Sequence, residues 1–160
     1  MSDTQVEIAG ASGKRILAVS SGGGHWVQLG RLRPAFDGHH VTFVTVDPLY
    51  ASDVPGARFH VVNDATRWNK LGLVLLALRI TLILLRTRPD VVLSTGAAPG
   101  YLALRIGKLL GRRTIWVDSV ANVEELSLSG RRVGKHADLW LTQWPHLERP
   151  AGPRYMGSVL

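Results

Sequence analysis

The stretch Val19–Leu29, VSSGGGHWVQL, places an apolar strand end, two serines, three consecutive glycines and a histidine directly before a helical pattern. Ser21, Gly22, Gly23 and Gly24 leave several backbone amides unobstructed, and a helix starting there adds the positive end of its dipole. The natural guest of such an element is an anion, phosphate above all. A P-loop needs a lysine followed by Ser or Thr after the last glycine, and none follows here. A dinucleotide fingerprint needs Gly or Ala where Val27 stands. Asp47 nevertheless ends the second apolar run where a ribose-binding acid would lie, so a dinucleotide or other small-molecule cofactor binder stays open as an alternative. His25 falls in the first helical turn and faces the same rim, where an imidazole is placed to accept a proton as a general base.

The elements that must hold these residues follow from hydrophobic patterning. Short apolar runs at 15–21, 40–47, 58–63, 90–96, 113–119 and 137–144 read as strands. Helix-length segments near 25–36, 67–87, 99–110 and 122–134 lie between them. The alternation predicts a doubly wound, Rossmann-like α/β fold with a parallel sheet covered by helices on both faces. In such sheets a ligand lies beyond the carboxyl ends of the strands. Gathered at those ends are Ser20–His25, Thr45–Asp47, Ser94–Gly96 with Pro99 and Gly100, Asp118 with Ser119, and Gln143 with Trp144. Turns favour small and polar residues for conformational reasons alone, so the set carries weight as one rim more than residue by residue.

With 160 residues the chain suits one domain, taken as 15–160, behind a polar segment 1–14 expected to be disordered. A net charge of +7 calls for anionic partners. The basic residues are scattered and no nucleic-acid-binding signature appears, so nucleic acid is not expected among those partners. The absence of cysteine removes disulfides, thiolate catalysis and thiolate-bound metal; no metal site and no cofactor are expected. The amino terminus lacks the apolar core of a signal peptide, so the chain is expected in the cytoplasm.

Residues 67–88 are different in kind. Between Leu71 and Leu85 fifteen positions are apolar but for Arg79 and Thr81. At 1.5 Å per residue that run measures about 22 Å, short of the roughly 30 Å hydrocarbon core of a bilayer. On a helical wheel Trp68, Arg79 and Arg86 share a narrow stripe and aliphatic residues fill most of the remainder. One apolar face can pack on the sheet. The excess, flanked by Arg67, Lys70, Arg86 and Arg88, suits insertion into an anionic membrane surface or burial under another protein element.

Taken in order, several local patterns resemble the Alg-fourteen-like family of glycosyltransferase subunits, which includes bacterial capsule and exopolysaccharide subunits. They are the glycine loop Ser21–His25, the turn Thr95–Ala97 after a PDVVLS run, the helix end Ile106–Gly111, the acid-Ser pair Asp118–Ser119, the segment Leu126–Gly130, Ala137–Asp138 ahead of Gln143–Pro145, and the closing Tyr155 and Gly157. The resemblance implies the acceptor-binding half of a GT-B glycosyltransferase, similar to the amino-terminal domain of the peptidoglycan lipid-intermediate N-acetylglucosaminyltransferase, with the UDP-sugar on a separate donor-binding subunit. It implies His25 or Asp118 as the base. Ser21, Gly22, Gly23, Gly24, Thr95, Gly96, Gly100 and Ser119 would hold the diphosphate of a polyprenyl-linked acceptor, and Trp68, Lys70, Arg79 and Arg86 would contact the membrane. The implied location is the cytoplasmic face of the cell membrane, held peripherally, with N-acetylglucosamine or glucuronic acid as the transferred sugar. A non-catalytic scaffold that activates a transferase is a further alternative. The chain departs from the family pattern at Asp118, where many members have Glu, at Asn122, where Arg is usual, and ahead of the long helix, where an arginine pair is reduced to Arg67.

Overall fold

The computed structural model describes residues 13–66 and 68–159. Arg67 and most of the segment expected to be disordered lie outside the described residues. Seven parallel strands form one sheet in the order β3-β2-β1-β4-β5-β6-β7: β1 (Arg15–Val19), β2 (His40–Thr45), β3 (Arg58–Val61), β4 (Val91–Ser94), β5 (Arg113–Val117), β6 (Leu139–Thr142) and β7 (Arg154–Tyr155). Strands buried on both faces need continuous apolar sequence rather than alternation, which is why runs such as ILAV and VVL mark them. Six of the seven coincide with the expected runs. The seventh, β7, spans two residues beyond a Gly-Pro pair and carries no pattern of its own.

Helix α1 (Gly24–Arg31) covers one face of the sheet, while α2 (Lys70–Thr87), α3 (Ala97–Leu109) and α4 (Leu128–Val133) share the other. Alternate β1 residues divide between the two layers, as the two-residue period of a strand requires. Ile16 and Ala18 pack with Trp26 and Leu29 of α1 and with Phe43. Leu17 and Val19 pack with Leu76 and Ile80 of α2, Leu104 of α3 and the buried Trp116. Between β1 and β4 the strand order reverses direction, so these neighbouring strands lead into helices on opposite faces.

Helix α2 begins at the Asn69 cap, whose side chain accepts the Gly72 amide at 2.8 Å, and ends at Arg88 in the left-handed conformation ahead of Pro89. Its buried residues Leu76, Ile80 and Leu84 recur every four positions along one face. Helix α3 lies very close to the sheet because two glycines face it. A Cβ on Gly100 would fall 1.8 Å from Ser94 Oγ, and one on Gly107 2.9 Å from Val92 Cγ2.

Two expectations are corrected here. The segment 122–134 is not one helix; its first six residues are loop, for a reason that lies in Asp118. Trp68 does not belong to the helical stripe of Arg79 and Arg86, because α2 starts only after the Asn69 cap.

Candidate functional site

At the carboxyl edge of β1 the chain turns through Ser21–Gly23 into α1, and at the edge of β4 it turns through Thr95–Gly96 into α3. Gly23, at φ 63° and ψ −135°, precedes the first turn of α1, and Gly96, at φ 145°, precedes that of α3. No side chain caps either helix. Among the described residues the first-turn amides of Gly24, His25 and Trp26 in α1, and of Ala97 and Ala98 in α3, where Pro99 has no N–H, are therefore left without protein acceptors, each set at the positive end of a helix dipole. Doubly wound sheets place their ligands at this point, where the strand order reverses.

His25 and Thr95 bind the two turns to each other in both directions. The His25 Nδ1–H donates to the Thr95 carbonyl at 3.0 Å, and the Thr95 hydroxyl donates to the His25 carbonyl at 2.8 Å. A carbonyl oxygen only accepts, so Nδ1 carries a hydrogen, and in the neutral ring Nε2 holds the lone pair. The ring rests on Gly96, where a Cβ would lie 2.4 Å from two of its atoms. Ala97, the next residue, is held at φ 64°, a left-handed conformation uncommon outside glycine, as the chain is forced sharply into α3.

The predicted phosphate-binding residues fall into two groups. Gly23 and Gly24 are exposed, with open space where a Cβ would point. Ser21 is half-buried, and its carbonyl accepts the Thr45 hydroxyl at 3.3 Å. By contrast Thr95, Gly96 and Gly100 are buried. The Thr95 hydroxyl is committed to His25, the Gly96 amide donates to Ser94 Oγ at 3.1 Å, and Gly100 is a packing contact of α3 on β4. These three shape the turn instead of lining it, and Gly100 in particular is removed from direct ligand contact. Ser119 is half-buried, with Oγ accepting the Ala121 amide at 3.2 Å.

Asp118 does not have the surroundings of a base. It is 2% exposed. One carboxylate oxygen accepts the Trp116 indole N–H at 3.1 Å and the Ser127 hydroxyl at 2.6 Å; the other accepts the Ser127 amide at 2.9 Å and the Asn122 side chain at 3.3 Å. Its backbone carbonyl takes Gln28 and Gln143 side-chain amides at 3.2 and 2.9 Å. A carboxylate so fully engaged holds the loop 119–127 against β5, and for that reason the chain there is loop and not helix. Trp144 adds to this by donating its indole N–H to the Val120 carbonyl at 2.8 Å.

Sequence reasoning missed Gln28 and Tyr50. Gln28, buried on α1, bridges to the loop after β5 by donating to Asp118 and accepting the Val120 amide at 3.2 Å. Tyr50 comes from the 3-10 turn after β2, and its hydroxyl accepts the Gly23 amide at 2.9 Å. The signal available for it was the Asp47-Pro48 pair, which marks a capped turn: the Asp47 carboxylate accepts the Leu49 amide at 2.9 Å. The residue singled out as a ribose-binding acid thus caps that turn.

The residues assigned to a membrane lie along α2 and just ahead of it, with Trp68 and Lys70 at the end of the helix that follows the carboxyl edge of β3. Trp68, Lys70, Arg79 and Arg86 are all exposed. So are Leu71, Val74, Leu75, Leu78, Leu82 and Leu85, which form an aliphatic stripe opposite the buried face. No Asp or Glu occurs within α2. Among the described residues no helix is long and apolar enough to cross a membrane. A cavity of about 630 Å³ opens at the opposite, amino edge of the sheet beside Arg33, Phe36, His40 and Arg58, remote from the two helix starts.

The architecture puts the chain among the doubly wound α/β proteins, a class whose ligands lie at the switch point. Comparison with known proteins narrows this. The family described as "Oligosaccharide biosynthesis protein Alg14 like" matches residues 59–159, and the chain belongs to that family. It is 39% identical over 83 residues to the UDP-N-acetylglucosamine transferase subunit ALG14 of Eremothecium gossypii, covering 48% of this chain and 37% of that one. With the mouse subunit of the same name it shares 36% identity over 87 residues, or 49% of this chain and 39% of the other. The chain thus aligns with under two fifths of the length of these relatives. Among solved structures, Acinetobacter baumannii MurG superposes with a TM-score of 0.72 over 91% of this chain and 45% of its own, at 10% identity. A UDP-N-acetylglucosamine 2-epimerase from Rickettsia bellii gives 0.66 over the same 91%, covering 45% of that chain at 16% identity. These likenesses establish the shared Rossmann-like fold of GT-B glycosyltransferases and epimerases.

Proposed function

We propose that the chain is the acceptor-binding subunit of a UDP-sugar-dependent glycosyltransferase, with N-acetylglucosamine as the transferred sugar, and that a second polypeptide binds the donor. The observation that carries this reading is the His25 ring, fixed between two uncapped helix starts with Nε2 as its free lone pair. The amides of the Ser21–Gly24 loop and of the first turn of α3 would hold the diphosphate of a polyprenyl-linked acceptor. In the transfer step the acceptor hydroxyl oxygen attacks the anomeric carbon, a carbon–oxygen bond forms, and the bond from that carbon to the donor diphosphate breaks. UDP departs with the bonding electron pair while the hydroxyl proton passes to His25 Nε2. The names of the relatives support the sugar and the subunit character.

The outer face of α2 fits the lipid portion of the same reading. Strand β3 delivers the chain to the carboxyl edge of the sheet, and the segment 62–69 then enters α2, so Leu71 and Val74 stand at the end of the helix nearest the rim. An exposed aliphatic stripe bordered by Lys70, Arg79, Arg86 and Arg88, with no acidic residue in the helix, suits the cytoplasmic surface of an anionic bilayer, held peripherally.

The test is transfer by the assembled complex. The chain is co-expressed with a candidate donor-binding chain from the adjacent reading frame, and transfer from UDP-N-acetylglucosamine and UDP-glucuronic acid to membrane lipid is measured. His25→Ala and His25→Gln are expected to lower kcat at least about a hundredfold while leaving complex formation intact, the scale of one lost general base. Full transfer by His25→Ala overturns the assignment of the base; transfer by the second chain alone overturns the subunit reading.

A further inference from the structure

The Gly23 amide, central to the glycine loop, already has an acceptor in the Tyr50 hydroxyl at 2.9 Å. The phenol accepts that bond through a lone pair and so retains its own hydrogen, which no acceptor among the described residues takes up. Its oxygen is also firmly placed. The Tyr50 ring stacks on Trp26 at 4.9 Å with an interplanar angle of 18°, and the Trp26 indole is anchored by donating to Asp53 at 2.8 Å. Phe43 and Phe59 meet Trp26 edge-on at 5.9 and 6.0 Å and hold it from the sides. Gly22 completes the fit, since a Cβ there would come within 3.3 Å of the Tyr50 oxygen.

The loop therefore exchanges one of its N–H donors for an O–H donor on a rigid aromatic support. A hydroxyl that accepts from an amide while donating to an anion is polarised in the same sense by both partners, which strengthens each bond. Tyr50 is half-buried, so its hydroxyl is neither sealed in the core nor fully solvated.

We propose that Tyr50 is a ligand-binding residue of the glycine loop, donating its phenol hydrogen to a phosphate oxygen of the diphosphate while its lone pair stays on Gly23. This rests on the acceptor-site reading above and adds to it a residue from the turn after β2. Tyr50 would then act in binding and not in the proton transfer.

The experiment titrates the purified full chain with inorganic pyrophosphate by calorimetry, for the natural protein and for Tyr50→Phe, which keeps the ring stack and removes the oxygen. Melting temperatures of both are taken without ligand. Pyrophosphate is expected to bind the natural protein and to bind Tyr50→Phe at least about tenfold more weakly, with the ligand-free melting temperatures unchanged. In the assembled transferase the same variant is expected to raise the acceptor KM and leave kcat alone. Equal affinity in the two proteins overturns the role of Tyr50 and leaves the acceptor reading standing. A weaker affinity that accompanies a lowered melting temperature also overturns it, since the hydroxyl would then be holding the loop and not the ligand. No binding of pyrophosphate by the natural protein overturns the acceptor reading, and Tyr50 with it.

Discussion

Asp118→Asn separates a structural carboxylate from a catalytic one. The natural side chain accepts four hydrogen bonds, two on each oxygen, at 2% exposure. An asparagine must turn its NH2 group toward one of those pairs. Facing the Trp116 indole and Ser127 Oγ, the new donors leave the indole N–H with no acceptor, because only the hydroxyl can rotate to accept. Facing the Ser127 amide and Asn122, they leave the backbone N–H unpaired, because only the Asn122 amide can flip. Either way one buried donor is orphaned, at a cost of about 1–3 kcal/mol, and the surviving bonds weaken as their acceptor loses its charge. A total near 3 kcal/mol converts to a fall in melting temperature of about 6–12 °C for a chain of this size. Circular dichroism at 222 nm through a thermal ramp measures it, with transfer assayed well below the transition. If Asp118→Asn melts like the natural protein and yet abolishes transfer, the carboxylate is chemical after all and its structural role as argued here is refuted.

Three other outcomes follow from particular contacts. Ala97→Gly relieves a left-handed alanine at φ 64°, so it is expected to stabilise the chain by up to about 1 kcal/mol, a rise in melting temperature of about 2–4 °C by calorimetry. Burial, with Lys135 and Arg105 adding like charge, pushes the His136 imidazole below its ordinary value of 6.5. The unfolded chain then takes up that proton first as the solution is acidified, so this contribution to stability is complete above about pH 6.5 and is lost as pH falls from there; denaturant titrations across pH 7.5 to 5 are expected to show a shallower loss in His136→Gln. Replacing Arg79 and Arg86 together by Gln is expected to reduce co-sedimentation with vesicles containing anionic lipid, by about 1 kcal/mol per charge at low salt, and to leave binding to neutral vesicles unchanged.

The strands β1 to β6 and the layers were legible because parallel strands covered on both faces read as unbroken aliphatic runs, and the glycine-rich turns between them mark where the chain must reverse; the order of the strands in the sheet was not. The relation of His25 to the rim was legible for the same reason, since it is fixed by local spacing at a helix start. Legibility ended where the contacts are long-range. Nothing in the spacing around Asp118 announces that Trp116, Asn122 and Ser127 converge on it, and the polar stretch 122–134, rich in helix-permissive residues, reads as one helix where only Leu128–Val133 is α-helical. Gly100 lies four residues beyond a glycine turn and looks like part of it, whereas the closeness of α3 to Ser94 makes it a packing position. Tyr50 was hidden because its partner Gly23 is 27 residues away, brought near only by the pairing of β1 with β2.

The two-way tie between His25 and Thr95 has a consequence for recognition by length. Its bonds, at 3.0 and 2.8 Å, run between segments that are each anchored in a neighbouring strand, so the gap separating the two helix starts is set by the sheet and not by whatever enters it. A rigid gap works as a gauge. A ligand with two linked anionic groups at the matching separation meets both helix ends at once, the second contact costing little further freedom after the first, while a single phosphate gains from only one of them. On the acceptor-site reading proposed above, discrimination between a lipid diphosphate and its monophosphate counterpart would then arise from a spacing that the sheet and the His25–Thr95 tie hold fixed.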